Sequence, residues 1–377
     1  MLGNYTIENH KVKFLGNKVV DPIEDVRGDK FKPMSSSELF ISLTKDDHFF
    51  HLHAIDNAVF FATIEYFRHQ SVDWCNLPLT TKMISSPGEI YAGKKLDYTT
   101  DALPVNLKWF DAEDIYLAES SQFYLEIRLV IERLDKVFSI YNSFRKEAAD
   151  FSHLSEFQHI EFEGKVSFEE NIKMYIGLLR HITDYVIKNH RNSLAYYLND
   201  EEIDELRTSF DEKNITTITF TDAMKLLYEN IGDDKYKKVS LENFGSYEEV
   251  ALTRILNTHA NVVEFPIEEI PFYHDVSFAD VDGKKYAKNA DFILLGYREV
   301  VGSGRRITNL DAIQKKAEFF NLPNEDYEPY VNLRKLKNYK ETCGFGLGWQ
   351  RYVQWLIKMP YIWNVSHIPR GEHAPRP

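Results

Sequence analysis

The chain has 377 residues, 44% hydrophobic and 14% aromatic, a composition that excludes a disordered chain and allows a sizeable core. Its 58 acidic against 45 basic residues give a formal charge of −13, which argues against an extended nucleic-acid footprint, because such footprints are basic. Two cysteines, Cys75 and Cys343, argue against a disulfide framework; no apolar run approaches the ~20 residues of a membrane helix, Met1–Tyr5 lacks a signal-peptide layout, and a cytoplasmic location is expected.

Residues 1–45 are polar with short apolar pieces, Val12-Lys13-Phe14-Leu15 and Leu39–Leu43, and read as a strand pair or an arm. They are too few for an independent domain. Leu52, Ile55, Val59, Ala62 and Tyr66 recur at steps of three and four, the stripe of an amphipathic helix. Val72–Pro78 reads as an extended segment ending at proline, and residues 80–110 as loop. A short strand over Asp114–Ala118 precedes a helix from Ser121 to Leu134, with Phe123, Ile127, Val130 and Leu134 on one face.

Val137–Phe144 has strand composition and runs into Arg145-Lys146-Glu147. A polar connection leads to a second strand, Phe157–Glu163, and the two form an antiparallel hairpin. By the period-two rule Phe157, His159, Glu161 and Glu163 share one face. That face makes a poor core, so it borders solvent or a site. Ile172, Tyr175, Leu179, Ile182 and Val186 mark another helix. Residues 190–260 read as helical and charged, with a short strand over Thr216–Phe220, and Glu264–His274 reads as strand and turn.

Two stretches carry the chemistry. In Asp291–Arg306 an apolar strand has an acid at each end, and a Gly-Ser-Gly turn precedes Arg305 and Arg306. Such acids suit Mg²⁺, which takes oxygen ligands; solvated hairpin charges are the ordinary alternative. In Cys343–Arg351 three alternate glycines lead into an apolar segment. Glycine lets backbone approach a flat or charged ligand, a helix N-terminus favours phosphate, and Arg351 adds a planar, permanently charged fork.

Together these pieces resemble the catalytic core of class II aminoacyl-tRNA synthetases, in the aspartyl/asparaginyl branch and its asparaginyl type in particular. Motif 1 resembles the helix around Ile55–Phe67 with the strand ending at Pro78, which in the family builds the dimer interface. Motif 2 resembles Phe144–Glu147 and His153–Glu161, motif 3 Gly344–Arg351, and the amino-acid segment Ser121–Glu126. Ile368-Pro369-Arg370 resembles the signature that closes the asparaginyl core. The resemblance implies an α+β fold, an antiparallel β-sheet flanked by helices, over residues 46–377. It also implies a homodimer, with ATP, Mg²⁺ and an amino acid as ligands.

By the same resemblance, Arg145 holds the α-phosphate and Arg351 the γ-phosphate or adenine face. Phe157 stacks on adenine, and Glu147, His153, Gly346 and Gly348 complete the ATP site. Asp291 and Glu299 hold Mg²⁺, while Gln122 and Arg306 position the amino acid. Arg145, Arg351 and Glu299 are the expected catalytic groups. Departures accompany the match. Ser152 stands where an arginine is usual, Arg305 where a glutamine is, Gln350 where a glutamate is, Leu125 where the aspartyl branch has lysine, and Ile270 where a basic residue often stands. The stretch ahead of motif 1 leaves no room for the usual anticodon-binding barrel. The expected function is therefore an adenylate-forming ligase with a non-tRNA acceptor such as ammonia or a small amine. A tRNA-charging enzyme and a non-catalytic regulator that binds amino acid or ATP are the alternatives.

Overall fold

Two helices meet at Asp46. The computed structural model describes residues 34–85, 103–104, 115–146, 151–280 and 283–371, with the backbone of three short antiparallel strands, β1 (Tyr5–Glu8), β2 (Lys11–Phe14) and β3 (Asn17–Val20). Helix α1 (Ser36–Lys45) opens on a capping box between Ser35 and Glu38 and closes at Asp46. Asp46 then caps α2 (Asp47–His69), its carboxylate accepting from the His48 amide at 2.9 Å. Of the expected stripe of α2, Leu52, Ile55, Val59 and Ala62 are fully buried and Tyr66 is half-buried.

The stripe packs on an eight-stranded sheet in the order β10-β11-β14-β15-β16-β9-β8-β4. Its strands are β4 (Asp73–Trp74), β8 (Lys136–Phe144), β9 (Glu156–Gly164), β10 (Ile215–Thr219), β11 (His259–Val263), β14 (Asn289–Ile293), β15 (Glu299–Arg305) and β16 (Cys343–Gly348). Smaller sheets join β5 (Thr80–Thr81), β6 (Leu103–Pro104) and β7 (Tyr116–Leu117), and pair β12 (Val276–Ala279) with β13 (Lys285–Ala287). The centre of the large sheet is antiparallel, as expected. Each edge adds a parallel pair, β10 with β11 and β4 with β8.

One face of the sheet is core. Phe67 of α2 stacks on Phe138 at 4.4 Å, Phe162 stacks on Phe345 at 5.2 Å, and Tyr175 meets Phe345 edge-on at 5.8 Å. Tyr175 sits on α4 (Phe168–Asn189), which starts from a Ser167/Glu170 capping box. Burying each such side chain contributes about 1.5–3 kcal/mol. The other face is the polar face of β9, and it is not solvated: Glu161 is 1% exposed and Glu163 0%.

Five expectations shift. Helix α3 (Gln122–Arg128) ends well before Leu134. Leu125 and Leu129 bury with Cys75 and Val137, so the chain must turn there to bring β8 alongside, and Lys165 Nζ donates to the Leu134 carbonyl at 2.5 Å in that turn. Gly302-Ser303-Gly304 is no turn but the middle of β15, paired on both sides; the actual turn lies at Gly296, whose φ of 76° needs glycine. Asp291 lies at the centre of β14, not its end. The strand placed over Glu264 onward falls earlier, at β11, and Phe220 opens α5 (Phe220–Ile231) with Thr219 as its cap. Asp114 and residues 86–102 lie outside the described residues.

Candidate active site

The register of the sheet lays two rows of residues side by side on its polar face. Asp291, Gly302, Gly346 and Glu161 are paired in one row across β14, β15, β16 and β9. Asn289, Gly304, Gly344 and Glu163 are paired in the next. Each row has two glycines at its centre and a polar side chain at either end. The glycines remove side chains from a floor that the flanking groups wall.

The floor is not uniformly open. A Cβ on Gly344 would fall 2.0 Å from Glu163 Oε2, 2.3 Å from Gln122 Nε2 and 2.6 Å from Arg306 Nη2. At Gly346 the nearest atom, Glu161 Oε1, would be 3.5 Å away, an ordinary contact. Gly344 is bare so that the protein's own side chains fit; Gly346 is bare over free space.

Two adjoining cavities lie above. The first, of about 80 Å³, is lined by Arg145, His153, Phe157, Gly346, Gly348 and Arg351. The second, of about 320 Å³, is lined by Gln122, Glu161, Asp291, Glu299 and Arg306 among others. Arg145, His159, Glu299 and Gly346 line both. Every candidate from the sequence therefore borders one cavity or the other, except Glu147, which lies outside the described residues.

In the second cavity Arg306 makes a bidentate pair with Glu163, Nε to Oε1 at 3.1 Å and Nη2 to Oε2 at 2.8 Å. Gln122, at the start of α3, donates to the same Glu163 Oε2 at 2.5 Å and to the Phe162 carbonyl at 2.7 Å. The Arg306 guanidinium also lies 5.0 Å from the Tyr273 ring centroid. So Gln122 and Arg306 are brought together, through a carboxylate that sequence reasoning had not assigned. Glu161 is the second unassigned acid. Ser120 Oγ donates to its Oε1 at 2.6 Å, while its buried Oε2 has no hydrogen-bond partner among the described residues. Burial pushes its carboxyl up to about 7, against the pull of Ser120. The alternation over Phe157–Glu163 was the signal for both.

Around the first cavity, Arg351 stands in the first turn of α6 (Trp349–Leu356), whose cap position is Gly348. Its Nη1 donates to the Glu299 carbonyl at 2.9 Å and its Nε to the Ser152 carbonyl at 3.2 Å. The Arg145 guanidinium lies 5.7 Å from the Phe157 ring centroid. His159 sits between the cavities; burial, then Arg145 and Arg351, bring it down to about 3, so it is neutral. Asp291 and Glu299 converge over Gly302, where an added Cβ would lie 3.9 Å and 2.8 Å from their oxygens. Burial first and then Glu299 push Asp291 well up. Two hard, mutually repelling carboxylates suit a divalent cation that keeps its remaining positions for water and phosphate. Among the described residues no group of three His, Cys, Asp or Glu forms a closed metal site.

The departures take distinct places. Ser152 is buried, its hydroxyl accepting from Arg298 Nη1 at 2.9 Å. Arg305 turns from both cavities to pair with Asp275 at 2.8 Å. Leu125 is wholly in the core. Gln350 lines the first cavity and accepts from the Gln158 amide at 2.9 Å. Ile270 lines the second.

A glycine-floored antiparallel sheet, with a motif 2 arginine and a helix-borne motif 3 arginine facing one cleft, defines a class II synthetase core. Residues 93–372 match the family described as tRNA synthetases class II (D, K and N), and the chain belongs to that family. It is 27% identical over 326 residues to the asparagine–tRNA ligase of Lactobacillus delbrueckii subsp. bulgaricus, covering 84% of this chain and 68% of that one. With the Thermus thermophilus asparagine–tRNA ligase it shares 28% over 285 residues, 74% of this chain and 62% of the other. Among solved structures, the asparaginyl-tRNA synthetase of Pyrococcus horikoshii complexed with asparaginyl-adenylate aligns with a TM-score of 0.76 at 21% identity, over 90% of this chain and 72% of that one. The Entamoeba histolytica enzyme in complex with asparaginyl-adenylate gives 0.74 at 21%, over 97% and 77%. At such identities these two likenesses speak to the fold. The chain is accordingly an enzyme of the aminoacyl-adenylate-forming class, of the asparaginyl/aspartyl branch, and the regulator alternative gives way to it.

Proposed function

We propose that the chain activates asparagine or aspartate with ATP and Mg²⁺, forming the aminoacyl adenylate where its two cavities meet. The observation that carries this reading is the sharing of Arg145, His159, Glu299 and Gly346 by both cavities. An amino-acid carboxylate in one and an α-phosphorus in the other would meet over Gly346, the open part of the floor. The carboxylate oxygen attacks phosphorus and pyrophosphate leaves, so fixed cations must hold the charge that develops. Arg145 would hold the α-phosphate and Arg351 the γ-phosphate or adenine face. Phe157 would stack on adenine, with His153, Gly348 and Glu147 beside the nucleotide. Asp291 and Glu299 would hold Mg²⁺, which supplies charge neutralisation at the phosphates. Arg306 and the unpartnered Glu161 Oε2 offer a donor and an acceptor that match a side-chain amide, and Gln122 fixes the carboxylate that orients Arg306.

Two acceptors are carried forward. The relatives' names specify tRNA, which makes the tRNA 3′ end the first to test. Transfer to ammonia or a small amine is the second reading, favoured by the net charge of −13 and by Ser152, which is buried against Arg298 at a position where the family usually has an arginine. A cytoplasmic location and a homodimer through the motif 1 helix α2 and the strand that follows it, with α1 alongside, belong to the same reading. The latter is supported by Phe40, Ile41, Leu43, Phe50 and Phe61, all exposed along those helices. In this reading residues 1–45 would form an arm or small extension on a catalytic domain spanning 46–377.

Mg²⁺-dependent ATP–pyrophosphate exchange across a panel of amino acids tests the activation. Exchange with asparagine or aspartate is expected, and its loss in both Arg145→Ala and Arg351→Ala with the fold retained. Near-normal exchange in either variant would refute the site assignment. Adding tRNA or ammonia to the exchanging enzyme then separates the acceptors.

A further inference from the structure

Besides the groups assigned to activation, the second cavity takes in the start of β14 and the segment after β11. It opens there over Asn289 and is walled by His274, Phe265, Ile270, Leu241 and Glu269. Asn289 is paired with Gly304 across β14 and β15. A Cβ on Gly304 would fall 2.1 Å from His274 Nδ1, so the bare glycine is what lets the imidazole lie on the floor. His274 is 7% exposed, and its Nδ1 has no hydrogen-bond partner among the described residues. Burial, then the charges of Arg306 and Lys316, hold the ring neutral.

At the other end of this lobe, Glu269 Oε2 accepts from Ser240 Oγ at 3.0 Å and from the Leu241 amide at 2.5 Å. Its Oε1 makes no hydrogen bond among the described residues. Ile270, Phe265 and Leu241 line the same cavity and give it apolar wall. A buried polar atom without a partner costs about 1–3 kcal/mol; His274 Nδ1 is such an atom, and a few polar groups set among apolar walls are the usual form of a ligand site. Neither group is used in activation as described above.

We infer that this lobe binds the acyl acceptor, a primary amine with a short apolar body, its nitrogen at His274 and Asn289 and a second polar end, where it has one, at Glu269. This rests on the amine-transfer reading of the site. A neutral imidazole can accept an amine N–H and leave the nitrogen lone pair free. That lone pair attacks the carbonyl carbon of the adenylate, the C–N bond forms and the C–O bond to phosphate breaks. AMP departs with the electron pair, and the amine's proton goes to the departing phosphate oxygen.

The test measures two things on the full chain. Pyrophosphate exchange reads activation, and AMP release with amide product reads transfer to ammonia, n-butylamine or 1,4-diaminobutane. Both alkylamines are expected to saturate transfer at lower concentration than ammonia. Ile270→Trp, which fills the lobe, should raise the apparent KM for the alkylamines by about tenfold or more while exchange persists and reports a folded enzyme. Glu269→Gln should weaken 1,4-diaminobutane and spare n-butylamine. Intact exchange with no preference for alkylamines over ammonia, with no effect of Ile270→Trp, or with tRNA as the sole working acceptor, overturns the inference and leaves activation standing. Absence of exchange with every amino acid overturns the activation reading itself, and this inference with it.

Discussion

Gly346 and Gly344 differ by one row of the sheet and by what occupies the space above them. A methyl at Gly346 meets only an ordinary contact at 3.5 Å, so Gly346→Ala should fold with a near-normal thermal midpoint and still lose exchange, because it intrudes where the reactants meet. Gly344→Ala would collide with three buried polar groups and should cost about 1–3 kcal/mol of stability. Thermal melts and exchange on the two variants check the contrast. Glu161 gives a pH signature. Its carboxyl accepts more strongly from a side-chain amide when ionised, and burial lifts it to about 7, so the KM for the amino acid should fall as pH rises through about 7. Glu161→Gln should flatten that profile. Stability moves the other way: between the ordinary carboxylate range and about 7 the fold keeps a proton that the unfolded chain has lost, so this residue lowers stability as pH rises across that interval. At this scale the sequence spoke through types and spacing. Arg145, Arg351 and Arg306 were pointed to by the resemblance of their stretches to the family's motifs, and all three border the cavities. Glu163 was not, since a charged residue on a strand reads as solvated until register shows what lies opposite it.

The elements that carry these residues are held by a second buried network. Glu126, on α3 four residues after Gln122, pairs with Arg334 Nη2 at 2.7 Å and accepts from Tyr330 at 2.5 Å and Tyr339 at 2.6 Å. Arg334 and Glu126 are both fully buried. This joins α3 to the segment that leads into β16, so the amino-acid end and the glycine floor are fixed to one another. Glu126→Ala leaves the guanidinium unpaired in the interior and should cost about 3–5 kcal/mol, measured as a shift of the denaturant midpoint. A wild-type midpoint in that variant would show that the network holds nothing. Periodicity found α2 and α4 because long amphipathic helices repeat their pattern many times. It overran α3, where Val130 and Leu134 continue a helical spacing that the turn toward β8 overrides. It also took Gly302–Gly304 for a turn, because glycine-rich strands without side chains have no period to read.

Among the described residues, a run of exposed apolar side chains lies along α1 and α2. Phe50 and Phe61 are 69% and 57% exposed on α2, with Phe40 and Ile41 exposed on α1 just before it. If two copies meet there, Phe61→Asp should halve the mass seen in sedimentation without disturbing the α2 face that packs on the sheet. An unchanged mass would remove that surface from consideration. The antiparallel sheet between helices was expected from the order of motifs. The parallel strands at its two edges were not, because β4 has only two residues and its pairing with β8 depends on contacts far apart in sequence.

The bare floor has a thermal consequence. Across β15 and β16, glycine faces glycine in both rows; the protein's own Glu163, Gln122, Arg306 and His274 cover Gly344 and Gly304, but over Gly346 the sheet has backbone hydrogen bonds and open space. A bound nucleotide or acyl group supplies the missing layer, and whatever binds the folded state alone raises its melting point by mass action, by about 2.7 kcal/mol at a hundredfold excess over Kd. The protein thus reports its own substrates: a melting-temperature screen of amino acids, nucleotides and amines would rank them before any reaction had been identified.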